Sequence, residues 1–224
     1  AKPPAVALPG PVAANDPFPF RLKNTDAPIG ELVRSETAVL LRNAFIDTAL
    51  GSGLAIPAEF KTTGDPLTYV AQARGPATAA FRRHIASSGG KIISYIPNNA
   101  YLVRVDADGA ARLANWSGTQ SVLPFEPYYK LEMKLLEMAV TGQPLPEGAL
   151  LNVVLFPNSE PAAAKRLARL GVEVLSQDRT PFGAKLVARV PANKLAALAR
   201  LTEVQGLERH RPRRLANDLP RPRL

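Results

Sequence analysis

With 224 residues, the chain is long enough for two small domains, and with no cysteine it has neither disulfides nor thiolate metal sites to staple them. A formal net charge of +9 favours an acidic protein, nucleic acid or an anionic membrane as partner. No apolar run reaches the roughly 18 residues that cross a bilayer, which argues against a membrane-embedded chain.

Residues 1–66 begin as a Pro-rich arm with Pro3, Pro4, Pro9, Pro11, Pro17 and Pro19, where missing backbone donors favour extended chain. This small, Pro-rich start has the composition left after removal of a signal peptide, giving the expectation of a secreted or periplasmic protein. Farther on, Leu32, Glu36, Val39, Leu40, Asn43 and Ile46 recur near helical spacing. That spacing predicts one amphipathic helix over residues 31–49, ended by Gly51 and Gly53 and packed on the domain that follows.

Residues 67–132 read as strand, helix, strand, strand, helix, strand. The first helix spans 76–90, with Pro76 in its first turn and Gly89 at its stop. The turn "PNNA" joins the two middle strands, because Asn tolerates positive φ and Pro97 cannot donate to a ladder. Residues 133–149 read as a Pro/Gly-marked linker, and residues 150–212 repeat the order of the first module. The repeat shows at one constant offset: Val105 aligns with Val190, Leu113 with Leu198, Val122 with Leu207 and Pro127 with Pro212. The fold class is α+β: two tandem ferredoxin-like (βαββαβ) modules, antiparallel sheets with helices on one face and the other face free for a partner. Each module is near the lower size limit for an independent core, so the two are expected to lean on each other or on a partner. Residues 213–224 form a basic tail.

Catalytic chemistry finds little purchase. His84 and His210 are the only imidazoles, the first on a helix among arginines and the second between Arg209 and Arg211, which oppose its protonation. There is no nucleophile elbow, phosphate loop, carboxylate pair or metal-ligand spacing, so no enzyme, cofactor or metal is expected. RNA-recognition modules share the ferredoxin-like topology but need aromatics on the central strands. Here only Tyr95 and Tyr101 are candidates, and the stretches "AYLVRV" and "AKLVARV" lack the Gly-aromatic run, which argues against nucleic acid despite the arginine-rich tail. A stand-alone protein-interaction module, acting as an inhibitor in trans or as an assembly subunit, is the other reading.

The stretch "TYVAQARGPATAAFRRHIASSGGKIISYIPNNAYLVRV" resembles the N-terminal prodomains of subtilisin-like serine proteases, most specifically through Tyr95, Ile96, Pro97, Asn98, Asn99 and Tyr101. The tail "RLANDLPRPRL" resembles the junction before a subtilase catalytic domain. The resemblance implies a folding chaperone for the protease domain of the same precursor, which after cleavage stays bound as a product-like inhibitor. It also implies that Leu219, Pro220, Arg221, Pro222, Arg223 and Leu224 enter the protease cleft, with Leu224 in the primary specificity pocket. Pro222, with no N–H to give an extended-substrate ladder, departs from that pattern, as does Arg221 at a subsite that often prefers an apolar side chain. The charge predicts an acidic protease face.

Overall fold

The computed structural model describes residues 18–51, 53–180 and 183–211. Two four-stranded antiparallel sheets and a smaller three-stranded sheet carry the chain.

The first module comprises β4 (Thr68–Ala73), α2 (Ala79–Ser87), β5 (Lys91–Ile96), β6 (Ala100–Arg104), α3 (Ala107–Ala114) and β7 (Thr119–Pro124). Its strands lie in the order β5-β6-β4-β7, the ferredoxin-like arrangement expected from the sequence. The "PNNA" turn behaves as its chemistry dictates: Asn98 and Asn99 both sit at φ 65°. Thr78 caps α2 by accepting from Phe81 N at 3.3 Å, and Asp106 caps α3 by accepting from Gly109 N at 2.8 Å. Pro76 therefore stands two residues before the cap of α2, outside the first turn in which its sequence context placed it.

The second module repeats the arrangement with β8 (Leu150–Leu155), α5 (Glu160–Arg169), β9 (Glu173–Thr180), β10 (Gly183–Arg189), α6 (Leu195–Ala199) and β11 (Val204–Arg209), in the order β11-β8-β10-β9. Strand β9 runs on through Arg179 and Thr180. On the helix side, Leu151, Val153, Leu155, Ala184, Leu186 and Ala188 alternate inward along β8 and β10, the period-2 pattern of a half-buried sheet.

One expectation is corrected. Residues 31–49 are not one helix: a single helical turn α1 (Ile29–Leu32) is followed by the hairpin β2 (Ala38–Leu40) and β3 (Ala44–Asp47), with β1 (Leu22–Lys23) parallel to β3. The apolar residues fall in two short runs, Ala38–Val39 and Ala44–Phe45–Ile46, all buried, and Arg42 and Asn43 turn the chain between them. Packing chose strand over helix, because a two-sided buried run suits a sheet better than a one-sided helix face. The linker is also structured. A 3-10 turn Pro127–Lys130 leads to α4 (Met133–Val140), and Leu131, Leu135, Leu136 and Leu145 are all buried.

The hairpin unit packs on the first module, as expected of this region, and it covers the helix-free face of that sheet. Gln72, at 0 % exposure, donates to Glu36 O (3.1 Å) and Asn98 O (3.0 Å) and accepts from Thr48 Oγ1 (2.7 Å). Asn98 Nδ2 donates to Leu32 O at 2.8 Å. The open face predicted for the first module is thus closed by the chain's own N-terminal unit. The modules lean on each other as small cores must: one apolar cluster runs from Val39 and Val70 through Tyr128 and Leu131 to Leu151 and Leu167. Arg104 of β6 reaches across to Ser159 Oγ at 3.0 Å and lies 5.4 Å over the Phe156 ring.

Candidate docking interface

Three features converge on the second module. The first is its helix-free face, where Val154, Lys185 and Val187 are half-buried, whereas Val70, Ala100 and Leu102 on the counterpart face of the first module are buried. Leu102 and Val187 stand at matching places in the two modules, each opposite the first strand, yet Leu102 is only 4 % exposed. A cleft of about 310 Å³ opens where the two helix-free faces meet, with Ser94, Ile96 and Leu102 on one wall and Val154, Gly206 and Glu208 on the other. Its rim carries Arg42 and Glu208, paired at 3.7 Å.

The second feature is the edge strand β9. From Glu173 to Arg179 every residue is exposed, including Val174 and Leu175 at 43 % and 44 %. An edge of this length presents backbone donors and acceptors to a partner strand. Leu175 is the extra residue of a bulge against β10, which twists that end of the edge.

The third feature is the end of β11, from which the chain continues to the tail. Glu132 Oε1 accepts from Arg209 Nε at 2.6 Å, Glu132 Oε2 accepts from Arg209 N at 3.1 Å, and Arg211 lies 3.9 Å from Oε1. From another side, His210 Nδ1 meets Asn152 Oδ1 at 3.0 Å. His210 is therefore a partner of the β8 side chain. His84, the other imidazole, stacks on Trp116 with ring centroids 4.6 Å apart.

Of the motif residues singled out from sequence, Ile96 lines the cleft and the others lie elsewhere. Ile96 and Tyr101 are buried, Tyr101 beneath the helices with its ring 6.2 Å from Phe81, so it offers no platform for a base. Tyr95 is exposed but its hydroxyl accepts from Asn99 N at 3.2 Å, locking the turn around Pro97. Asn99 Oδ1 accepts from Ala77 N at 3.3 Å. The motif is a turn that fastens the N-terminal unit. Leu219, Pro220, Arg221, Pro222, Arg223 and Leu224 lie outside the described residues. Among the described residues no cluster of His, Asp and Glu could hold a metal ion, and no helix is long and apolar enough to cross a membrane.

Sequence reasoning missed Lys130. It is 7 % exposed and its Nζ donates to Leu201 O at 2.9 Å. Burial pulls its pKa down to about 7, against the opposing pull of Glu203; Arg104 lowers it further and Glu126 raises it. No sequence signal announced a buried lysine, because "PYYKLE" reads as an ordinary surface segment. Burial also raises the Tyr128 hydroxyl well above its usual range, and that hydroxyl donates to Phe20 O at 2.6 Å.

Residues 34–126 match the profile of a family described as a domain of unknown function, DUF8729. The match begins just before the β2–β3 hairpin and ends after β7, so it groups the hairpin with the first module, as the packing does. No curated protein matches the chain.

Proposed function

We propose that this chain is the prodomain of a secreted subtilisin-like serine protease, serving as folding chaperone for the catalytic domain and then as a product-like inhibitor through its C-terminal tail. The observation that carries the reading is the placement of β11: a strand of the less covered sheet runs straight toward the tail, beside a half-buried sheet face. The second module is the docking body and the tail is the cleft ligand. Main-chain pairing of an extended tail with a substrate cleft needs no specific side chains, and tethering it to a docked sheet raises its effective concentration there. A weak product can then hold like a strong inhibitor. Chaperoning follows from the same contacts when they stabilise the late folding steps of a protease that relies on kinetic stability. The net charge of +9 makes association with an acidic face fast at low salt.

The test is inhibition of a commercial subtilisin by the intact chain and by a chain lacking residues 217–224. The reading expects inhibition that is lost on deletion. Retained tight binding without any inhibition in the intact chain would favour the stand-alone interaction module instead, and a salt-steep oligonucleotide affinity would favour nucleic acid.

A further inference from the structure

The last strand of a domain ordinarily frays where its ladder ends. Here the chain is gripped past that point from two sides. Glu132, at the start of α4, holds Arg209 through both carboxylate oxygens and draws in Arg211, while its own N–H donates to Leu207 O at 2.9 Å. Leu131 forms a parallel bridge to Leu207, so the segment before α4 lies along the outer edge of β11. Between the two arginines, His210 is held by Asn152, a β8 residue 7 % exposed, and its N–H donates to Leu150 O at 2.9 Å. Successive side chains on extended chain point to opposite faces. Contacts to residues 209, 210 and 211 in turn therefore fix the twist of the strand end as well as its position.

The grip is itself anchored. Asn43, fully buried, donates to Leu131 O at 2.7 Å and Tyr128 O at 2.9 Å, tying the segment that carries Glu132 to the N-terminal hairpin. Each of these contacts costs side-chain entropy that a free tail would not spend.

We propose that Glu132 and Asn152 are positioning residues for the root of the C-terminal tail: their contacts fix the course of the chain at residues 209–211. The proposal rests on the prodomain reading for its purpose and on the contacts at residues 209–211 for its existence. A tail fixed at its root before docking loses less freedom on entering a cleft, which shows as tighter inhibition with no added contact to the protease.

Two measurements keep the two ideas apart. The chain has no native cysteine, so Arg211→Cys places a single nitroxide at the tail root, beside the Glu132–Arg209 pair. Its electron paramagnetic resonance spectrum is expected to be motionally restricted, and to approach that of a free label when Glu132→Ala is added. Asn152→Ala, which leaves α4 untouched, is expected to act in the same direction. A spectrum already free in the parent, or unmoved by both variants, overturns the proposal whatever the inhibition shows. In the second measurement, Glu132→Ala weakens inhibition of subtilisin about tenfold in the intact chain and leaves binding of the chain lacking residues 217–224 unchanged. Equal weakening in both backgrounds would make Glu132 merely structural and overturn the proposal. A restricted label that Glu132→Ala frees, in a chain that never inhibits, would uphold the fixed root and sink the prodomain reading instead.

Discussion

The two modules share a topology and differ in what lies on the face their helices leave bare. On the first, the hairpin unit covers that face, so Val70, Ala100 and Leu102 are buried and Gln72 spends its amide on hairpin backbone and the β5–β6 turn. On the second, Val154 and Val187 stay half-buried, and the central-strand amide, Asn152, is turned to the root of the tail. The lesson is that a ferredoxin-like sheet has a vacancy by construction. Which partner fills it is decided by the flanking chain: the N-terminal hairpin unit closes one module, and on the proposed reading the other is left for docking.

The sharpest way to break this comparison is substitution at the matched positions. Leu102→Ala should cost about 3 kcal/mol in urea unfolding, and Val187→Ala about 1 kcal/mol, because Leu102 is 4 % exposed and Val187 only half-buried. Equal losses would mean that the second face is as closed as the first. Next in size is Asn43→Ala. It strips the donor from two buried carbonyls, Tyr128 O and Leu131 O, and should lower stability by about 2 kcal/mol. Loss of the hairpin's protection from proteolysis should accompany it; an unchanged hairpin would show that the cover is held by apolar contact alone.

A smaller effect concerns the seam between the modules. Lys130 has its folded pKa lowered to about 7 from 10.5, so between those values the unfolded chain binds more protons than the folded one. Stability should therefore rise with pH from about 7 toward 10.5, and the charged lysine is an unrelieved cost below pH 7. Lys130→Met should flatten that slope and raise stability at pH 6 by about 1 kcal/mol, since a buried charge is often replaced by an apolar side chain at a gain. A slope that survives the substitution would assign it to other groups. The smallest effect is expected on the exposed edge. Val174→Lys and Leu175→Lys should change stability by less than about 0.5 kcal/mol, while slowing any association that uses β9.

Both βαββαβ orders were legible in sequence, because strands such as residues 91–96 and 100–104 are short apolar runs bounded by an Asn-rich turn or by glycine. The hairpin at 38–47 was not. Leu32, Val39, Leu40 and Ile46 fit a helical stripe as well as a pair of short strands, and only the sheet beneath them decides between the two. The covered face followed the same logic, since nothing in the sequence of β4 says that Gln72 meets Thr48. Of the candidate site, the tail residues 219–224 lie outside the described residues. The Glu132 grip was not legible, because it joins residues 77 positions apart.

Hydrogen exchange of the intact chain with and without a subtilisin catalytic domain tests the central claim most directly. Protection should be gained along β9, β10 and the residues around Arg209, with β4 and β6 of the first module unchanged. Protection confined to the first module, or none anywhere, would contradict the account.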